Sequence, residues 1–145
     1  MGQANVSSTV AAVVFDLLNP VSYGFFVGGL GFDVVYAQTA DVMWVKCAAW
    51  LISVGLFVAV VPRLINLVQV WLPRAGQRRS HSKLAFFLYL VGIAAAIANA
   101  FVHSRDAYAV VPDGVWLFAV TVVFLVAANI LMTLQNSRND RQSQA

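Results

Sequence analysis

His103, Arg105 and Asp106 lie within four positions of one another in the stretch NAFVHSRDAYAVVP, Asn99 to Pro112, between two long apolar runs. An imidazole titrates near neutrality, so with an acid and a guanidinium beside it it is suited to taking up and releasing a proton. Asn99 and His103 are four apart, which places both side chains on one face of a helix. Asp33 and Lys46 are further isolated charges in apolar surroundings. A charge inside a bilayer costs about 2.5 to 3.5 kcal/mol even on insertion scales, so each one needs a partner or a purpose.

The sharper chemistries fail on residue supply. The chain has one cysteine (Cys47), two histidines and no glutamate, too few for a three- or four-ligand zinc site. Haem bound by two histidines of one chain is excluded by spacing, because His81 and His103 are 22 residues apart, about 33 Å along a helix. Haem held by His103 with another ligand, or with a second copy's His103, stays open. No phosphate-binding glycine loop is present, and no nucleophile can be assembled with a base and an orienting acid. Catalysis is therefore not the expectation, and no cofactor is expected apart from that haem alternative.

The composition is 61% hydrophobic and 10% charged, with a mean hydropathy of +0.79. A soluble domain would carry about 25% charge, so lipid is the main solvent. Val10, Val13, Val14, Leu17 and Leu18 draw one apolar stripe, and the pattern predicts a short amphipathic helix at the membrane surface. Asn19-Pro20 reads as an N-cap with proline at the first helical position, so a new helix is expected there. Span one then runs from Pro20 to Ala37, and Gly24 and Gly28 within it form a small-xxx-small pair. Span two runs from Val42 to Val61, with a kinked extension past Pro62 to about Leu72. Spans three and four are expected at about Leu84 to Val102 and Val115 to Leu134, each long enough to cross ~30 Å of hydrocarbon. The domain plan is an N-terminal segment over residues 1–19, a four-span domain over 20–134 and a polar, mostly disordered tail over 135–145.

The loop PRAGQRRSHSK, Pro73 to Lys83, carries Arg74, Arg78, Arg79 and Lys83 with no acid, and should face the cytoplasm. Both termini then lie on that side, in agreement with Arg138 and Arg141 of the tail. Trp44, Trp71 and Trp116 fall at expected span ends, as interfacial tryptophans do. No Lys or Arg precedes the first apolar run and no small-residue cleavage site follows it, so a cleaved signal peptide is not expected.

With spans alternating in direction, Asp33, Lys46, Asn99 and His103 converge near the outer boundary, with Arg105 and Asp106 just above. The structural reading pairs Asp33 with Lys46, or with Arg105 as the second choice, and treats His103, Arg105 and Asp106 as a solvated helix end. The functional reading makes the cluster a proton or ion site. A second set toward the cytoplasm, Asn19, Arg63, Asn66 and Asn129, is explained by capping, snorkelling and interhelical hydrogen bonding.

The stretch AAWLISVGLFVAVVPRLINLVQVW, Ala48 to Trp71, together with Asn99 to Pro112 and its run into span four, resembles a bacterial family of small four-span membrane proteins of unknown function, over roughly residues 15 to 132. Where that family commonly has a His-Pro pair this chain has Asn19-Pro20, and the family's closing glycine-rich motif is missing after Ala128. The resemblance implies a subunit or anchor near respiratory or redox proteins.

The expectation is thus an all-α integral membrane four-helix bundle with an interfacial N-terminal helix, acting as a non-enzymatic subunit, anchor or scaffold of the bacterial cytoplasmic membrane. Its partners would be the lipid bilayer and either another protein or a second copy, with no nucleic acid. The alternatives are a haem-binding electron-transfer subunit using His103, and a small transporter or proton-conducting bundle using Asp33, Lys46 and His103.

Overall fold

The computed structural model describes residues 2–71, 83–105 and 110–144. They form four helices: α1 (Gly2–Thr39), α2 (Val42–Trp71), α3 (Lys83–His103) and α4 (Asp113–Gln144). Within them, stretches of 31, 24, 21 and 26 residues are apolar and long enough to cross a membrane. The pairs α1–α2 and α3–α4 pack closely, while α1–α4 and α2–α3 meet less extensively.

The inward residues recur at alternating steps of three and four. On α1 they include Ser22, Phe26, Gly29, Asp33 and Tyr36; on α2 they are Val45, Ala48, Ile52, Gly55, Ala59 and Pro62. On α3 they are Ala85, Tyr89, Gly92, Ala96 and Asn99, and on α4 Gly114, Phe118, Thr121, Leu125 and Ala128. This is the seven-residue repeat of helices packed side by side along one seam. The seam is built largely of small residues, which bring backbones close, while Trp50, Phe57, Phe101 and Val123 point outward. Phe26, Ile52, Tyr89 and Phe118 fill the space left between the small residues.

Two helix boundaries differ from the sequence expectation. The chain does not break at Asn19-Pro20, and one helix runs from Gly2 to Thr39 with Pro20 inside it. The Asn19 side chain is the reason: it reaches across the bundle to Asn129 and Arg63 and so does not cap a new helix. The Ser22 hydroxyl donates to the Leu18 carbonyl at 3.0 Å, inside the same helix. At the other end α4 continues to Gln144, so residues 135–144 are helical and not a disordered tail. Ser137 donates to the Thr133 carbonyl at 3.0 Å there. The extension of α2 through Pro62 to Trp71 agrees with the expectation. Most of the basic loop, residues 73–82, lies outside the described residues, as do Asp106 and the side chains of Asn66 and Trp71.

The α1–α2 connection fixes the register of that hairpin. Ala40 takes a left-handed φ of 54° and donates its amide to the Tyr36 carbonyl at 2.8 Å, which closes α1. Asp41 caps α2 by accepting from the Met43 amide at 2.9 Å.

Candidate functional site

At the end of the bundle that carries this turn, three helices build an enclosed acid–base pair. Asp33 on α1 is fully buried, and its Oδ1 lies 2.9 Å from Nε2 of His103 on α3, whose side chain is 1% exposed. His103 Nδ1 lies 3.0 Å from the carbonyl oxygen of Asn99, one turn earlier. A carbonyl only accepts, so Nδ1 carries a hydrogen and donates it. One further proton between Nε2 and Oδ1 completes the bonding of the ring, while Asp33 Oδ2 is buried without a hydrogen-bond partner among the described residues. The pair is then neutral overall, whichever atom holds the proton, and a neutral pair is what a low-dielectric interior tolerates.

The walls leave little slack. The His103 ring stands edge-on to Phe118 of α4, with centroids 5.6 Å apart and planes at 76°. Phe118 in turn covers Gly29 of α1, where an added Cβ would come within 2.5 Å of the ring. Gly114 at the start of α4 closes the site from the other side. A Cβ there would lie 2.6 Å from Val110, 2.9 Å from Asp33 Oδ2 and 3.1 Å from the His103 ring. Glycine is required at both positions because side chains from other helices fill the space a Cβ would need. Of the expected Gly24–Gly28 pair, Gly24 meets nothing and is exposed, whereas a Cβ at Gly28 would lie 3.2 Å from Leu51 of α2; the tighter approach is at Gly29.

Of the expected outer cluster, the structure brings together Asp33, Asn99 and His103. Asn99 is fully buried, and neither side-chain amide atom finds a partner among the described residues. Lys46 is not Asp33's partner. It sits one residue past the inward Val45, turned about 100° away, and is exposed at the span end where its stem can snorkel. Arg105 is exposed beyond α3, so the second choice fails as well. Among the described residues, no three of the His, Cys, Asp and Glu side chains stand close enough to hold a metal ion.

The second set condenses at the opposite end, about 21 Å away by the 14 residues from Asn19 to Asp33. Each helix contributes one side chain: Asn19 from α1, Arg63 from α2, Tyr89 from α3 and Asn129 from α4. Asn19 Nδ2 donates to Asn129 Oδ1 at 2.9 Å, and the Tyr89 hydroxyl donates to that same oxygen. Arg63 Nη2 donates to Asn19 Oδ1, and the guanidinium lies over the Tyr89 ring, 3.6 Å from its centroid. The sequence reading missed Tyr89. The available signal was its phase, because it shares the Ala85–Gly92–Ala96–Asn99 seam and a buried tyrosine hydroxyl seeks a partner.

Between the two ends the core is apolar, with Phe26, Ile52, Phe118 and Leu125 buried. Ser22 and Thr121, the buried hydroxyls in the described core, donate to their own helices' carbonyls. No protein-family model, curated protein or solved structure matches the chain, so function is argued from these side chains.

Proposed function

We propose that the chain is a non-enzymatic membrane subunit or scaffold, in which the Asp33–His103 pair clamps α1 to α3 and holds the bundle to one packing. The observation that carries this reading is the complete internal use of His103, with both ring nitrogens bonded and the ring packed against Phe118. An iron ligand needs a free nitrogen, so the site does not fit a haem on His103. A conducting bundle needs polar groups in sequence across the membrane, whereas between the two polar ends, about 21 Å apart, the buried Ser22 and Thr121 hydroxyls are bonded to their own helices and the rest of the described core is apolar.

The expected setting is the bacterial cytoplasmic membrane with both termini inside, supported by the acid-free basic loop before α3. A reporter fused after Gln144 should be active only on the cytoplasmic side, and periplasmic activity would reverse the topology. The functional test is purification from native membranes in a mild detergent. The expected product contains a second protein or a second copy in fixed stoichiometry and has no Soret band. A Soret band lost in His103→Ala would establish the electron-transfer reading instead. Proton flux in vesicles containing only this protein would establish the transport reading.

A further inference from the structure

α2 and α3, like α1 and α4, pack against each other less closely than the helices of either hairpin do, and the α2–α3 side is open. A groove of about 630 Å³ lies there, walled by Leu56, Phe57, Val60, Phe86, Leu90 and Ile93. Among the described residues, the charged member of its wall is Arg63. Ser53, toward the other end, donates its hydroxyl to the Ala49 carbonyl at 2.8 Å and so offers little to a ligand.

Arg63 is a cation in neutral company. Its contacts are Asn19 and the rings of Tyr89 and Phe15, while Nε and Nη1 are buried without an acceptor. No described carboxylate forms an ion pair with it. A desolvated guanidinium without an anion is unfavourable, and a phosphate supplies the bidentate acceptor that its planar fork fits.

Dimensions indicate what carries that phosphate. The part of the groove between Ser53 and Arg63 covers ten residues of α2, about 15 Å along the helix and half of a ~30 Å hydrocarbon core, the depth of one leaflet, and its lining continues past Arg63 to Leu67. Arg63 stands two residues before Ile65, where the apolar span of α2 ends, at headgroup level.

We propose that this chain binds one anionic phospholipid of the surrounding bilayer, with an acyl chain along the α2–α3 groove and the phosphate on Arg63. The site rests on the chain spanning a membrane and is independent of the scaffold role.

The test titrates the full-length, delipidated protein in detergent with phosphatidylglycerol or with phosphatidylcholine of identical chains, read by native mass spectrometry. One phosphatidylglycerol should bind about tenfold more tightly than phosphatidylcholine. Arg63→Leu should abolish that preference. Leu90→Trp, which fills the groove and leaves Arg63 in place, should weaken both lipids. The triple variant Arg74→Gln, Arg78→Gln and Arg79→Gln should keep the preference, which separates the site from general attraction to the basic loop. If Arg63→Leu does not fold, Arg63→Lys decides, since it keeps the charge and loses the fork and should weaken phosphatidylglycerol severalfold. Equal binding of the two lipids by the parent chain would overturn the proposal. So would undiminished binding in the Arg63 variants, loss of the preference in the triple variant, or full competition by glycerol phosphate without chains.

Discussion

The two polar ends of this bundle solve the same problem in opposite ways. At the Asp33–His103 end, an acid and a base from different helices share a proton and leave no net charge, although Asp33 Oδ2 and the Asn99 amide are buried without a partner among the described residues. At the Arg63 end, a cation is held by an asparagine and two aromatic rings, with two of its nitrogens unanswered. Lipid offers no solvation to either. A self-compensated pair can therefore be sealed under Phe118 and Gly114, while an uncompensated cation stays at the span end, beside a groove that opens to the bilayer. The first arrangement serves packing. The second leaves a group in need of an external anion.

The contrast is broken most directly by removing one partner at each end. Asp33→Ala leaves His103 buried with a ring nitrogen unsatisfied and should cost about 3–5 kcal/mol in chemical or thermal unfolding in detergent. The double variant with His103→Ala should cost clearly less than the sum of the two singles, and an additive result would mean the two residues are not coupled. Arg63→Met deletes a hydrogen bond to Asn19 and also a desolvated cation, so in detergent free of anionic lipid it should cost under about 2 kcal/mol. Adding phosphatidylglycerol should then raise the melting temperature of the parent chain and leave that of Arg63→Met unchanged, because a ligand stabilises only the state that binds it. A fall for Arg63→Met as large as that for Asp33→Ala would erase the distinction between the ends.

Smaller effects sharpen the picture at the sealed end. Gly114→Ala pushes a methyl group against Val110, Asp33 and the His103 ring and should cost about 1–3 kcal/mol. Gly24→Ala, at a position that meets nothing, should be neutral or slightly stabilising through helix propensity. Equal losses at the two glycines would show that the close approach at Gly114 does not matter. The smallest change is Ala40→Gly. It relieves the left-handed φ of 54° in the α1–α2 turn and should raise stability by about 1 kcal/mol or slightly more, measured by the same unfolding assay.

Much of the architecture is legible in the residue order. The lengths of the apolar runs place four spans, and the i, i+4 spacing of Asn99 and His103 puts both side chains inward, where the structure finds them. Both polar sets were also recognisable by type, because an Asp, His, Arg or Asn stands out in a run of Val, Leu and Phe. Hydropathy does not say which face turns inward, since in lipid both faces are apolar. The better guide is size: Gly29, Ala48, Gly55, Ala96, Gly114 and Ala128 mark the buried seam, while Trp50, Phe57, Phe101 and Val123 face outward.

Partner choice was decided by the tertiary structure alone. Asp33 and Lys46 share a depth, but depth is one coordinate and direction around the helix is another. One residue of rotation, about 100°, takes Lys46 off the seam that Val45 occupies. His103 is on the seam and therefore takes the acid. The same reason keeps α1 continuous through Pro20. Asn19 would cap a helix in isolation, but in the bundle its side chain faces Asn129 and Arg63 from other helices, and those bonds exist only once the four helices have packed. Sequence determined which runs are long and apolar enough to cross a membrane, and packing determined which polar groups meet, because a hydrogen bond depends on the angle at which each side chain leaves its helix.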